Sequence, residues 1–432
     1  MTQNKHQKPD YRHSCGWNGL LGLRKNLEPL KQNIHCDVTI IGAGYTGIAA
    51  ARRVGELSPN SDIVVLEASS IGEGNPGRNS GFLLEVALAH DVDKQNLARM
   101  QQCNQLIQQA MRSLRDDIER FKIDCGLFHS GTYRAAASAT GSKSLERYKA
   151  FLDAAGLRCD TLDTADLSSR IGTRFYRKGI YSPHCYLAQP AALIRGLAER
   201  LPDNARMYEN SPALGLERKS NCWLVKTPHG DVLAKKVILA NNAFCKALGF
   251  GQERLVAMYT YAALTEPLDA FLLAQCGEDE QWGVLPAHRL GSTLRRTADG
   301  RLLIRSLYRY EKDCNASDVE PELRSALTRR FPQLANVPFA AVWGGATGFT
   351  FNAAPLWGEL RPELYISAGC NGGGIVKGTL FGKLLAERTL GHDTVDVSSL
   401  FGTARYMPPD PLRKLGFSVI AAVERFRARA EV

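Results

Sequence analysis

The chain has 432 residues, a formal net charge of +10, and 44% hydrophobic and 23% charged residues. This length predicts two domains rather than one simple core, and the composition is typical of a globular protein, which excludes a low-complexity or disordered chain. The positive charge suits a nucleic acid, an anionic lipid or an anionic cofactor, but Lys and Arg are scattered, which favours an ordinary solvated surface.

The 11 cysteines include no C-x-x-C pair and no His/Cys cluster at metal-ligand spacing. This pattern predicts reduced thiols, no metal site and a cytoplasmic protein. The N-terminus lacks the apolar core of a signal peptide, and no stretch reaches the ~18 apolar residues of a membrane span. Residues 1–35 are interpreted as an arm over the body, with Trp17 and residues 20–23 as anchors.

Residues 37–68 contain the strongest local pattern. A buried strand over 38–41 precedes Gly42, Gly44 and Gly47 in the spacing G-x-G-x-x-G, and a helix over 48–57 and a strand over 63–66 follow. Glycines at these positions allow a tight turn, close approach to a pyrophosphate and tight helix–strand packing. Glu67 ends the second strand about 20 residues later, where an acid binds the ribose hydroxyls. The pattern predicts a dinucleotide site.

The segment 69–85 holds four glycines and a proline, which indicates a shaped loop without regular structure. Arg78, Asn79 and Ser80 add hydrogen-bond donors beside its backbone. A plain surface loop is the alternative, but its place directly after the second strand favours a ligand-binding role.

The middle of the chain alternates helical and strand patterns. Apolar spacing predicts helices over 92–121, 142–155, 163–170, 189–201 and 321–331. Strands are predicted over 127–137, 206–208, 213–218, 222–227, 232–235, 236–239, 255–265, 292–296 and 302–308. The run 236–239 should return to the nucleotide-binding sheet, and the last three strands indicate an antiparallel sheet.

A second strand–glycine–helix unit lies near the end of the chain. A strand over 364–368 is followed by a glycine-rich turn at 369–374 and a helix over 376–390. Because a dinucleotide has two ends, two such units can hold both of them.

The motifs IIGAGYTGIAAA, LEASSIGEGNPGRNSG, VILANNA and YISAGCNGGGIVKGTLFGKLLAE together resemble the glycine/D-amino acid oxidase superfamily of flavoproteins, and within it the gamma-glutamylputrescine oxidase type. The resemblance implies an α/β fold, with a Rossmann-like FAD-binding domain and a second α+β substrate domain built on an antiparallel sheet. The expected FAD-binding domain comprises 36–91, 178–250 and 341–395, and the substrate domain 92–177 and 251–340; residues 396–432 form an amphipathic tail.

The resemblance also implies non-covalent FAD, since no histidine occurs at 75–79, where relatives attach the flavin. The residues implied to contact FAD are Gly42, Gly44, Tyr45, Thr46, Gly47, Glu67, Ala68, Arg78, Asn79, Ser80, Gly81, Ala213, Gly372, Gly373, Gly374, Ile375 and Val376. The last five would follow the pyrimidine edge of the flavin, where a helix N-terminus favours the negative charge of the reduced form.

The expected activity is oxidation of a C–N bond in an amine or amino acid, by hydride transfer to flavin N5 and then imine hydrolysis, with oxygen or a respiratory carrier as electron acceptor. No residue pattern indicates an acid or base. Tyr259 and Tyr261 are candidates for the substrate pocket, with sheet packing as the alternative. Lys377 is a candidate for charge near the flavin, or else a solvated helix lysine. Cys370 is interpreted as a packed thiol.

Two other functions remain open from the sequence. The net charge of +10 allows a flavoprotein that acts on modified tRNA, although the scattered charge argues against nucleic acid. The basic amphipathic segment 410–432 could dock on a membrane surface or on a partner chain. The alternative for this segment is a helix that caps its own domain.

Overall fold

The computed structural model describes residues 11–86, 97–428 and 431. Residues 1–10 of the arm and the predicted start of a helix at 92 lie outside this range. The described chain forms two 8-stranded sheets and a 2-stranded sheet, with helices packed on them. This mixed α/β architecture confirms the predicted fold class.

The strands, in chain order, are β1 (Ile34–Ile41), β2 (Ile63–Leu66), β3 (Phe82–Leu84), β4 (Thr132–Ala136), β5 (Asp160–Leu162), β6 (Lys178–Ser182), β7 (Cys185–Leu187), β8 (Ala205–Tyr208), β9 (Gly215–Lys219), β10 (Cys222–Lys226), β11 (Asp231–Leu239), β12 (Val256–Thr265), β13 (Trp282–Pro286), β14 (Thr293–Arg296), β15 (Leu302–Tyr310), β16 (Phe339–Phe349), β17 (Leu356–Arg361) and β18 (Leu364–Ala368).

The α-helices are α1 (Gly16–Gly19), α2 (Tyr45–Leu57), α3 (Asn75–Arg78), α4 (Leu97–Arg120), α5 (Ala139–Ala154), α6 (Thr164–Ile171), α7 (Pro190–Ala198), α8 (Ala270–Ala274), α9 (Ala316–Arg330), α10 (Val376–Thr389), α11 (Val397–Phe401) and α12 (Leu412–Ala428). Short 3-10 helices span Asn242–Leu248 and Pro332–Leu334.

The first sheet has the strand order β17-β18-β11-β1-β2-β8, and the β9–β10 hairpin extends it from β11. β1 pairs in parallel with both β2 and β11, and β11 pairs in parallel with β18. β2 is buried along its whole length, as expected for a parallel strand covered on both faces. The two strand–glycine–helix units therefore lie in one sheet, separated only by β11.

The helices that follow the two glycine turns pack against each other. A side chain at Gly382 of α10 would overlap the carbonyl oxygen of Thr46 in α2, so glycine permits this close approach. Because β1 and β18 end at the same edge of the sheet, the packing brings both turns to that edge.

The second sheet has the order β16-β12-β15-β14-β13-β4-β6-β5. Its pairs are antiparallel except for β13 with β4, which is parallel. Helix α9 covers one face, where Val319, Leu323 and Leu327 join the core of this sheet. The predicted antiparallel sheet is thus confirmed, with one parallel pair.

The predicted domain boundaries do not coincide with the sheets at two points. β6 begins at Lys178 and pairs with β4 in the second sheet, although 178–250 was assigned to the FAD-binding domain. β16 pairs with β12 in the same sheet, although most of it falls in 341–395. The division into domains stays a prediction.

Three predicted elements differ from the structure. Residues 232–235 and 236–239 form the single strand β11. The loop 69–85 contains helix α3 and strand β3, because Pro76 stands in the first turn of α3, where its missing N–H costs nothing. Helix α9 starts five residues before Pro321, since Asn315 and Asp318 form a capping box there.

The N-terminal segment is built into the body. Trp17 is buried as predicted and Leu21 packs against the same cluster, whereas Leu20 and Leu23 are exposed. The carboxylate of Glu209, which is fully buried, accepts hydrogen bonds from Arg24 (2.7 Å) and from the backbone N–H groups of Leu27 and Ile71 (2.6 Å for Ile71). Glu209 thereby ties this segment to the loop that follows β2.

Replacing Glu209 with alanine should destabilise the protein by about 3–5 kcal/mol, because the largely covered Arg24 guanidinium and two N–H groups would lose their buried acceptor. The midpoint of urea unfolding measures this effect. Glu199→Ala is the matched control, since Glu199 is exposed and its oxygen lies 3.9 Å from the same guanidinium; we expect a change of at most about 0.5 kcal/mol. Equal midpoints for both variants would contradict the anchoring role of Glu209.

Within the described residues, no helix has the length and apolar character needed to cross a membrane.

Candidate active site

A cavity of about 1360 Å³ opens at the edge of the first sheet where both glycine turns lie. Its walls include Gly42, Gly44 and Glu67 from the first unit and Gly372 and Gly374 from the second. Strands of the second sheet and residues of helices α5 and α12 contribute to the rest of the wall. The volume exceeds the ~300–1,000 Å³ of a site for one drug-sized ligand, which leaves room for a dinucleotide and a further small molecule.

The first glycine turn has the geometry that its spacing predicts. Gly42 has φ +100° and begins the turn, and Gly44 caps the N-terminus of α2. A side chain at Gly47 would overlap the carbonyl oxygen of Gly42, so Gly47 serves packing and does not line the cavity. The unpaired N–H groups of the α2 N-terminus, with Tyr45 and Thr46 beside them, line the cavity and offer an anion-binding end.

Glu67 stands at the end of β2 and lines the cavity together with Ala68 and Ala213. Its carboxylate accepts hydrogen bonds from the backbone N–H groups of Ala43 (2.9 Å) and Ser69 (3.1 Å). Burial raises the pKa of the Glu67 carboxyl, and these N–H groups oppose that rise. The two bonds hold the carboxylate in place as an acceptor for hydroxyl groups.

Helix α3 and the residues after it also line the cavity. The guanidinium of Arg78 donates to the carbonyl oxygens of Gly344 (2.9 Å) and His13 (2.8 Å), so Arg78 fixes α3 to β16 and to the N-terminal segment. Asn79 and Ser80 line the cavity beside Arg78. Gly81 does not line the cavity. It packs against Arg295 and the carbonyl oxygen of Ala188, where a side chain would clash.

The second glycine turn faces the same cavity. Gly372, with φ +86°, Gly374 and Ile375 line it, whereas Gly373 does not and Val376 packs into the core of the first sheet. Asn242, which follows β11, accepts a hydrogen bond from the N–H of Gly369 (2.9 Å) and donates to the Cys370 sulfur (3.2 Å). Asn242 thus positions the turn. In the sequence, its place shortly after a parallel strand could have indicated a residue at the site.

The two tyrosine candidates face away from the cavity. Tyr259 and Tyr261 belong to the core of the second sheet, where the hydroxyl oxygen of Tyr261 accepts a hydrogen bond from the N–H of Cys314 (2.9 Å). Their neighbours Met258, Thr260 and Ala262 line the cavity instead. Side chains alternate across a strand, so Tyr259 and Tyr261 lie on the face of β12 that packs in the sheet core, which is the alternative interpretation.

Lys377, in the first turn of α10, is not a solvated lysine. It is partly buried and lines the cavity, as does Cys370. Burial lowers the pKa of the Lys377 ammonium, and the nearby Cys370 thiol opposes this shift. Among the described residues, no carboxylate forms an ion pair with Lys377. An anionic group in the cavity would supply a partner for this ammonium and raise its pKa again.

The wall formed by the second sheet and its surroundings is rich in arginine. Its described lining residues include one glutamate, Glu424, and the six arginines Arg134, Arg147, Arg289, Arg305, Arg413 and Arg427. Arg289 and Arg427 lie 3.7 and 3.6 Å from Glu424, and Arg413 donates to backbone carbonyls. Arg305 donates to the Thr293 hydroxyl (3.2 Å) and, within the described residues, has no acidic partner.

Arg134 is a second cation of this wall. Its guanidinium stacks at 3.9 Å on the ring of Tyr148, and its Nε atom is buried without an acceptor among the described residues. Sequence reasoning missed Arg134 and Arg305 because they come from distant strands with no shared motif. Together they make this end of the cavity suited to an anion.

The comparison with known families identifies the cofactor of the chain. Residues 37–388 match the DAO family model, described as FAD dependent oxidoreductase. The chain belongs to this family. The enzyme is therefore an FAD-dependent oxidoreductase, which confirms the resemblance seen in the motifs.

Individual relatives of this DAO-family enzyme agree. Gamma-glutamylputrescine oxidoreductase of Escherichia coli is 30% identical over 384 residues, covering 83% of this chain and 85% of the relative. The probable oxidoreductase OrdL of Haemophilus influenzae is 28% identical over 375 residues, covering 84% and 85%. The crystal structure of glycine oxidase from Geobacillus kaustophilus superposes with a TM-score of 0.73 at 20% identity, covering 87% of this chain and all of that one.

The cavity fits FAD on its own geometry. A helix N-terminus lies at each glycine turn, an acceptor fixed by two N–H groups stands at the end of β2, and Gly372 has open space where a side chain would project. These features match a pyrophosphate, a ribose and a flavin edge in turn.

Proposed function

We propose that this enzyme oxidises a C–N bond in an amine or amino acid that also carries a carboxylate, and that the imine product is then hydrolysed. Bound FAD would supply the redox chemistry by taking the substrate α-hydrogen as a hydride at flavin N5. The observation that carries the proposal is the single cavity, which has the two glycine turns at one end and the arginine-rich wall at the other. The names of the relatives, an oxidoreductase of gamma-glutamylputrescine and a glycine oxidase, support an amine or amino acid substrate.

In this proposal, one set of residues holds the cofactor without a covalent bond. The N–H groups at Gly44 and Tyr45 would hold the pyrophosphate, and Glu67 would accept from the adenosine ribose. Ala213 would contact the adenine, and the N-terminus of α10, with Gly374 and Ile375, would contact the flavin.

A second set of residues orients the substrate. The guanidinium of Arg305 binds the carboxylate, and Arg134 adds positive charge at the same wall. Met258, Thr260 and Ala262 form the part of the wall contributed by β12, and mostly apolar side chains there exclude water from the reacting carbon. The amine is thereby directed toward the flavin end.

Lys377 should stabilise the negative charge of the reduced flavin. We expect Lys377→Met to lower the flavin midpoint potential by about 30–60 mV, because a charge-assisted interaction contributes about 1.5–3 kcal/mol and 30 mV corresponds to about 1.4 kcal/mol for a two-electron couple. Reduction against a reference dye measures the potential. Lys377→Arg is the control and should stay near the wild-type value; an unchanged potential in Lys377→Met would show that the ammonium does not act on the flavin.

The proposed reaction is tested by anaerobic flavin reduction. The purified protein should be yellow, and a panel of matched amines with and without a carboxylate should be added in the absence of oxygen. Bleaching of the flavin by carboxylate-bearing amines supports the proposal, and bleaching only by amines that lack one would overturn the substrate class. Readmission of air then shows whether oxygen or a different carrier accepts the electrons.

A further inference from the structure

Helix α12 carries a row of exposed aliphatic side chains. Leu412, Leu415, Val419, Ile420 and Val423 recur at helical spacing on one face, and each keeps between 43% and 62% of its surface exposed. Large aliphatic residues that stay exposed together on one helix face indicate a binding surface rather than scattered surface positions. Helix α12 does pack on the body, as the capping interpretation expects, but most of this aliphatic row stays outside that contact.

A neighbouring side of α12 is fastened to the body. The Phe417 ring lies 5.6 Å from the Tyr310 ring, and Arg413 donates to the carbonyl oxygens of Gln252 (3.0 Å) and Leu255 (3.2 Å). In the second half of the helix, Glu424 pairs with His288 at 3.0 Å. These contacts hold the helix in one orientation, so the aliphatic row is presented outward by the fold.

The charge of α12 specifies the kind of partner. The helix carries the cations Arg413, Lys414, Arg425 and Arg427, and its single acid, Glu424, is turned toward His288 and Arg289. Pairing of this face with the same face of a second copy would bring like charges together, which is unfavourable. An anionic bilayer offers apolar depth for the aliphatic row and negative charge for the flanking cations.

We propose that α12 docks the enzyme on an anionic phospholipid surface. The helix has 17 residues, about 25 Å, and would lie in the plane of the membrane with its aliphatic row in the interfacial region. Leu412 and Ile420 belong both to the exposed row and to the cavity wall, so docking brings the cavity entrance to the lipid surface. The docking surface is independent of the proposed substrate.

The test is flotation of the FAD-loaded full-length protein with vesicles of phosphatidylcholine, with or without phosphatidylglycerol. We expect wild type to float with the anionic vesicles and not with the neutral ones. Val419→Glu combined with Val423→Glu should reduce the bound fraction at least about tenfold, because each charge must enter the apolar layer. Lys414→Glu combined with Arg425→Glu should have a similar effect through lost lipid attraction.

Phe271→Glu is the matched control, because Phe271 is 76% exposed on α8 and outside this face. It should float like wild type, and flavin absorbance should confirm that every variant is folded. Absence of wild-type flotation, equal flotation on neutral and anionic vesicles, or unimpaired flotation of Val419→Glu/Val423→Glu would each overturn the proposal. A dimer that this double variant dissociates, without vesicle binding by wild type, would assign the face to a second copy instead.

Discussion

Replacing Gly44 with valine should give a folded protein that binds FAD at least about 100-fold more weakly than wild type. Gly44 caps the N-terminus of α2 and lines the cavity, and a Cβ atom there would lie 2.9 Å from the Cγ atom of Pro76. Valine would push α3 away from the turn and fill the space in which the pyrophosphate meets the backbone N–H groups. Overpacking of about 3 kcal/mol corresponds to the expected loss of affinity.

FAD titration of the stripped protein by calorimetry measures this affinity, and circular dichroism checks the fold. Gly19→Val is the matched control, since a Cβ atom at Gly19 has no neighbour within 4 Å and Gly19 lies outside the cavity wall. We expect its FAD affinity to equal that of wild type. If Gly44→Val retained FAD as tightly as Gly19→Val, the first glycine turn would not be the pyrophosphate site.

Replacing Arg305 with leucine should lower kcat/KM for carboxylate-bearing amines by about 100-fold or more, because loss of a guanidinium–carboxylate pair in a buried site costs about 3 kcal/mol. For amines without a carboxylate the same variant should be nearly unchanged, since they make no contact with the guanidinium. Steady-state kinetics on matched substrate pairs would show this divergence. Arg305→Lys should recover only part of the loss, because lysine cannot form the bidentate contact.

Arg309→Leu is the control for the Arg305 prediction. Arg309 lies on the same strand, but it pairs with Glu322 (2.9 Å) and does not line the cavity. Its removal should change both substrate classes alike and only slightly. Equal losses for substrates with and without a carboxylate in Arg305→Leu would mean that Arg305 supports the wall rather than binding the substrate.

The geometry of the glycine-turn end of the cavity could be predicted from the sequence because its information is local. A strand, a glycine turn and a helix follow one another directly, so Gly42, Gly44 and Glu67 reveal their geometry through spacing alone. Gly47 belongs to the same spacing but packs against Gly42 instead of facing the cavity, and only its three-dimensional neighbours reveal this role.

The substrate end could not be predicted, since it depends on which face of each strand meets the cavity. In β15, Leu307 has φ +60°, and the register against β12 shifts between Tyr259 and Tyr261. This bulge places Arg305, Tyr308 and Tyr310 on the cavity side, although strict alternation would separate an odd position from two even ones. A sequence gives no signal for such a bulge when the residue concerned is not glycine.

The alternation along β12 has a consequence for how specificity can diverge. Met258, Thr260 and Ala262 touch the cavity, whereas Tyr259 and Tyr261 between them hold the core of the second sheet. Along this strand, residues that line the cavity therefore alternate with residues that support the fold. Mutational drift or laboratory selection at the even-numbered sites can reshape substrate choice while the odd-numbered sites preserve foldability, so this strand is a natural starting point for library design.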